Sequence, residues 1–196
     1  MAYVPQRASV DWSFPATAYD VVAMGMYRQL GWLAPWRRPH RQQVLQCLDQ
    51  VGMQGFAQHQ SGQLSGGQQQ RIFMARALAQ NPDLYILDEP FAGVDAATER
   101  AIVTLLRRLA CGGKTIICVH HDLATVHDYF QFGLLLNVRN VAAGPIRHIF
   151  TPEKVQEAYG GQLAPSQLDR LRHNNAAHTP AAPVPHEAPA APVAAP

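Results

Sequence analysis

Two acids stand side by side at Asp88 and Glu89, immediately after the apolar run Leu84-Tyr85-Ile86-Leu87. Four apolar residues ending in two carboxylates read as a short strand buried on both faces that delivers its charges at its carboxyl end. That edge of an open α/β sheet is where ligands bind. An aspartate there can hold Mg²⁺, directly or through water, and the next carboxylate can accept a proton from an attacking water. A lone Asp-Glu pair also ends many strands as a solvated turn, so its weight depends on what accompanies it. Leu84 stands sixteen positions after Gln68, the last member of Leu64-Ser65-Gly66-Gly67-Gln68. A serine and two glycines opening a helix present a hydroxyl and bare backbone N–H groups along the helix axis, where the dipole favours an anion. Taken alone, the same residues would serve equally as a Gly-rich helix cap.

Other reactive-looking groups carry less. His120, His121, Asp122 and His127 are good metal-ligand types at short spacing, but adjacent histidines at a strand end rarely converge on one ion. Gly113-Lys114-Thr115 imitates the end of a phosphate-binding loop, yet the position five residues before Gly113 is Arg108, and a strand follows where a helix is required. No G-x-x-x-x-G-K-[ST] occurs in the sequence. Arg37, Arg38 and Arg41 form the densest basic cluster, and with a formal charge of +2 and no matching basic face they argue against nucleic acid as a partner. Cys47, Cys111 and Cys118 are odd in number and lack C-x-x-C spacing, which fits a reducing cytosol better than a disulfide framework or a zinc site.

The elements that must position these groups alternate. Ala2 to Pro5 reads as the end of a strand and Pro5-Gln6 as the start of a loop. Helical spacing recurs from Asp20 to Gly31 and from His40 to Val51, where Gly52 stops the helix. Gly62 to Gln80 is a turn leading into a helix with Ile72, Ala75, Leu78 and Ala79 on one side. Asp95 to Leu109 is amphipathic through Ile102, Leu105, Leu106 and Leu109. Thr115 to Val119 reads as a second buried strand and Leu134-Leu135-Leu136 as a third, so the fold class is α/β with a parallel sheet and packed helices. Thr151-Pro152 opens a last short helix ended by Gly160-Gly161. From about Ala176 the chain is almost wholly Ala and Pro, which predicts a disordered tail. No run of eighteen apolar residues and no leader pattern is present, so a spanning helix or secretion signal is not expected.

Together these residues resemble the ABC ATPase family of P-loop NTPases from Tyr3 to about Gly161. The resemblance implies a Q-loop glutamine at Gln6 reaching Mg²⁺ and the attacking water, and a signature motif at Leu64 to Gln68, whose Ser65, Gly66, Gly67 and Gln68 contact ATP. It likewise implies a Walker B aspartate at Asp88 for Mg²⁺, a catalytic Glu89, a D-loop from Ala92 to Asp95 at a dimer interface with Asp95 at the nucleotide, and a switch histidine at His121 touching the γ-phosphate. Between Gln6 and Leu64 lie 57 residues without heptads, unlike the long coiled coil of the chromosome-maintenance branch. Arg7 to Trp32, especially Ser9-Val10-Asp11-Trp12 and Phe14-Pro15, together with Glu89 to Glu99, resemble importers of manganese, zinc or chelated iron.

The resemblance implies a partition into a Q-loop remnant over 1–11, a helical subdomain over 12–80, the rest of the RecA-like core over 81–161 and an extension over 162–196. It implies two ATPase subunits sandwiching two ATP molecules, each signature motif serving the nucleotide of the opposite subunit. It also implies an integral membrane permease docked on the helical subdomain, a periplasmic or surface metal-binding protein acting indirectly, and a cytoplasmic, peripheral location on the inner face of the membrane. Because the phosphate-binding loop is missing, the chain is expected to be truncated ahead of Met1, to leave apolar sheet surface exposed and to be poorly stable and inactive alone. The competing expectation is a genuine short protein, catalytically incompetent, that only completes a partner's ATP site or binds a permease.

Overall fold

A computed structural model describes residues 1–6, 9–30, 35–164, 168, 169 and 171. Arg7, Gly31, Trp32 and the Ala/Pro-rich segment from Ala176, all used in the sequence reading, lie outside the described residues. The chain divides into two compact units, Met1–His121 and a second beginning at Asp122.

The first unit is built on a three-stranded parallel sheet in the order β1 (Ala2–Val4), β2 (Leu84–Asp88), β3 (Thr115–Val119). Parallel neighbours require long crossovers. One crossover carries α1 (Ala18–Met24), α2 (Tyr27–Leu30), α3 (Arg38–Gln50) and α4 (Gly66–Gln80); the other is α5 (Ala96–Cys111). Thr17 starts α1 by a capping box with Asp20, whose N–H donates to Thr17 Oγ1 at 3.1 Å while Thr17 N–H donates back to Asp20 Oδ2 at 3.0 Å.

The helix expected over Asp20 to Gly31 is two helices. α1 ends at Gly25, where a Cβ would clash with the carbonyl oxygen of Arg76, so α1 and α4 are in close contact at that residue. Gln29, on the restarted α2, donates from Nε2 to the last carbonyls of α4, Ala79 at 2.9 Å and Gln80 at 3.0 Å. α4 packs against α1, α3 and β1, and Ile72, Met74, Ala75 and Ala79 are fully buried. Asn81 in the left-handed region (φ 42°) ends it.

β2 departs from the expectation of burial on both faces. Tyr85 and Leu87 are buried, whereas Leu84, Ile86 and Asp88 keep partial exposure. Tyr3 is in register with Ile86, and Ile86 with Ile117, so these side chains share a face. That face is open, with Tyr3 at 52%, Ile117 at 51% and Val119 at 52% exposure.

The second unit corrects the placement of Leu134-Leu135-Leu136. β4 (Phe132–Asn137) pairs antiparallel with β5 (Arg139–Pro145) in a separate two-stranded sheet, with a bulge between Leu135 and Leu136. One residue, Val138 with φ 61°, turns the chain, far too short a link for a parallel crossover. The polar start and Gly144 of β5 hid it in the sequence. α6 (Val126–Tyr129), α7 (Ile146–Ile149) and α8 (Pro152–Ala158) complete the unit around Val126, Ile146, Phe150 and Val155, and Thr151 caps α8 through its bond from Lys154 N–H.

Candidate functional site

The three parallel strands end together, and each hands over one polar group: Gln6 two residues beyond β1, Glu89 directly after β2 and His121 two residues beyond β3. Glu89 is where they meet. Gln6 Nε2 donates to Glu89 Oε2 at 2.7 Å, and His121 Nδ1 lies 3.3 Å from Glu89 Oε1. Both oxygens of one carboxylate are thus engaged by residues from the flanking strands. The Glu89 side chain nevertheless keeps 25% exposure, so water reaches it. Its backbone has φ 47°, uncommon for a residue with a side chain and frequent at functional sites, and its N–H donates to the carbonyl of Val119 at 3.2 Å. That bond extends the β2–β3 ladder one residue past its register and turns the side chain off the strand line.

Asp88, one residue earlier, accepts from Tyr3 Oη through Oδ2 at 3.2 Å; no described residue bonds to Oδ1. Partial desolvation of Tyr3, then this bond and the aspartate charge, raise its phenol above the ordinary range, so it stays a protonated donor at neutral pH. Tyr3 is a site residue the sequence reading missed. The available signal was the register: in a parallel pair, an aromatic opposite Ile86 lies one pleat from Asp88.

The signature segment forms a second cluster. Ser65 N-caps α4, accepting from Gln68 N–H at 3.4 Å, and Gln68 Oε1 accepts from Ser65 N–H at 2.8 Å. Asp95 N-caps α5, accepting from the N–H groups of Ala97 and Thr98 at 2.9 Å and from Thr98 Oγ1 at 2.8 Å. These bonds, those from Thr98 first, hold the Asp95 carboxyl below its usual range. A Cβ on Gly67 would lie 3.6 Å from Thr98 Oγ1 and 3.8 Å from Asp95 Oδ2, so the starts of α4 and α5 face each other across that glycine. Thr98, like Tyr3, was not singled out from the sequence; the Asp-x-x-Thr spacing of a helix cap was the available clue.

The remaining candidates have local duties. The His120 ring packs edge-on against Phe91 with centroids 5.4 Å apart, and His127 packs edge-on against Phe150 at 5.4 Å. Asp122 accepts from Ala124 N–H at 2.9 Å. Lys114 pairs with Asp83 at 3.1 Å. Arg37, Arg38 and Arg41 are exposed around the start of α3.

The donor set fits a nucleotide-bound magnesium. Mg²⁺ prefers oxygen ligands and in such sites takes one or two carboxylates together with substrate phosphates. Asp88 offers a free carboxylate oxygen, and Gln6, whose amide nitrogen is spent on Glu89, keeps its carbonyl oxygen.

A parallel sheet that converges a glutamine, an Asp-Glu pair and a histidine, with a Ser-Gly-Gly helix start inserted in its first crossover, has the ATP-binding cassette version of the P-loop NTPase fold. Residues 1–92 match the family model described as ABC transporter. The zinc transport system ATP-binding protein TroB of Treponema pallidum is 54% identical over 170 residues, covering 87% of this chain and 64% of that protein. The manganese transport system ATP-binding protein MntB of Listeria monocytogenes is 50% identical over 160 residues, covering 82% and 67%. Among solved structures, an inward-facing ABC transporter of metal-chelate type aligns with a TM-score of 0.73 at 29% identity, over 81% of this chain and 62% of that one. The chain belongs to the ABC transporter family of ATP-binding proteins. It spans about two thirds of the length of these relatives, 64% in the case of TroB. Among the described residues no helix is long and apolar enough to cross a membrane.

Proposed function

We propose that this chain is the ATP-hydrolysing subunit of an ABC importer for a metal ion, manganese, zinc or chelated iron, and that it couples hydrolysis to a membrane permease. The observation that carries the reading is the double grip on Glu89, by Gln6 at 2.7 Å and His121 at 3.3 Å. Glu89 acts as general base for the attacking water. Its orientation is held from both flanks, so an imidazole and an amide decide when the carboxylate is aimed. Asp88 and the Gln6 carbonyl would hold magnesium, which would neutralise charge on the phosphoryl group that ATP gives up. His121 donates toward the γ-phosphate when not bonded to Glu89.

Ser65, Gly66, Gly67 and Gln68 serve the nucleotide of a second ATPase subunit, as the family resemblance implies, the start of α4 offering backbone N–H donors to its phosphates. Asp95 lies at that subunit boundary. Residues 12–80 form the helical subdomain that receives the permease, leaving 1–11 and 81–161 as catalytic core and 162–196 as extension, and Gln6 links that surface to the site. The location is the cytoplasmic face of the membrane, through the permease. The chain alone does not turn over ATP, since no G-x-x-x-x-G-K-[ST] lies within it. The cargo follows the names of the relatives, one zinc and one manganese. An external binding protein and the permease select it.

In a version extended to carry a phosphate-binding loop and purified with its permease, Glu89→Gln should lower ATP hydrolysis by about 10²–10⁴-fold, the range for loss of a general base, while ATP binding persists. Hydrolysis within a few-fold of wild type would overturn the assignment. Uptake of radiolabelled manganese or zinc that stops with Glu89→Gln supports the cargo class; unchanged uptake of both sinks it.

A further inference from the structure

Asp88 ends β2 with one carboxylate oxygen taken by Tyr3 and the other without a partner among the described residues. The register explains the reach. Tyr3 lies opposite Ile86, Ile86 and Asp88 project from the same face two residues apart, and a tyrosine ring carries its hydroxyl across that step. Packing does not account for the hydroxyl, because Tyr3 is 52% exposed on the open face and phenylalanine would cover Ile86 as well. What the hydroxyl does is restrain its neighbour. The terminal torsion of an aspartate is broad, so an unpartnered carboxylate swings between orientations. With Oδ2 committed to Tyr3, the plane is held and Oδ1 alone is presented.

We infer that Tyr3 is a positioning residue for Asp88, fixing its carboxylate so that Oδ1 is presented to the magnesium ion that accompanies a bound nucleotide. The inference rests on the reading of Asp88 as the magnesium residue. Hydrogen bonds to a ligating carboxylate typically change metal affinity by about 10–100-fold when removed, and a bond of 3.2 Å on a half-exposed ring belongs at the low end.

The test uses the intact transport complex, a non-hydrolysable ATP analogue and Mn²⁺ in place of Mg²⁺, with free Mn²⁺ followed by its electron paramagnetic resonance signal. Tyr3→Phe should weaken nucleotide-dependent Mn²⁺ binding about tenfold while analogue binding in a chelator and the unfolding temperature stay at wild-type values. Ile86→Ala, which trims the same face without touching Asp88, should cost stability and leave Mn²⁺ affinity unchanged. Mn²⁺ affinity within twofold of wild type in Tyr3→Phe, or a loss that Ile86→Ala reproduces, overturns the proposal. If Asp88→Asn abolishes Mn²⁺ binding and Tyr3→Phe does not, Asp88 keeps its assignment and Tyr3 loses its own. If Asp88→Asn changes nothing, both fall.

Discussion

At the scale of single residues, the site works by dividing carboxylate oxygens among partners. Glu89 spends both of its oxygens on Gln6 and His121, whereas Asp88 spends one on Tyr3. Neighbours in sequence, they therefore differ in what they leave open: Asp88 keeps Oδ1 without a partner among the described residues, while both oxygens of Glu89 are engaged. The cysteines show the same control of reactivity by environment. Desolvation pushes the Cys47 thiol up to about 11 and the Cys118 thiol up to about 12, so neither is a thiolate at neutral pH, while Cys111 is exposed at the end of α5. Iodoacetamide at pH 7.5 should label Cys111 first in the folded protein, and peptide mass spectrometry reads the order directly. Labelling of Cys47 or Cys118 at a comparable rate would mean that the core opens locally.

At the scale of elements, close approach decides where helices stop and what they hold. Gly25 ends α1 hard against α4, where an added methyl would clash with the backbone oxygen of Arg76, which cannot rotate away. Gly25→Ala should therefore destabilise the first unit by about 1–3 kcal/mol, the usual cost of forcing an extra group into a packed interface. Urea unfolding followed by circular dichroism measures this; an unchanged midpoint would show that α1 shifts freely. The effect reaches the site through α4, because the same helix begins at Ser65 and packs on β1, which carries Tyr3 and leads to Gln6. Much of this level was legible beforehand. The Ser-Gly-Gly start at Ser65 and the Thr151 cap were read in the sequence and both cap with their own side chains, as Asp95 does where α5 was expected to begin; Thr17, which caps α1, was not read, although such caps depend on residues only two or three positions away. The break at Gly25 was not legible, since its cause is a residue on another helix.

At the scale of the whole chain, the open face of the parallel sheet stands out. Tyr3, Ile117 and Val119 are each about half exposed on one face, and the second unit separately exposes Phe132, Leu134 and Leu136 on one side of β4. Contiguous apolar rows of this kind promote association. The isolated chain should self-associate with rising concentration in sedimentation experiments, and Ile117→Thr should reduce that tendency while the strand persists, since threonine suits a β-strand. Monomeric behaviour at all concentrations with wild-type Ile117 would show that the face is covered in solution.

Asp88-Glu89 after four apolar residues and Ser65-Gly66-Gly67-Gln68 before a helix declared a strand end and a helix start within a few positions, because those are short-range structures, and their chemistry became specific only through the company of the other motifs. The motif order was equally plain in the sequence. Only the tertiary structure decided which of these groups touch. Gln6 and Glu89 are 83 positions apart, and Tyr3 and Asp88 are 85 apart. Their meeting depends on strand register and on helices that pack α4 against β1. One face of β2 is open, where the apolar run alone implied burial on both, because no described element covers it, and Leu134–Leu136 pair in a local hairpin rather than in the parallel sheet. Local sequence specifies what a group can do; the register of strands far apart in the chain determines what it meets.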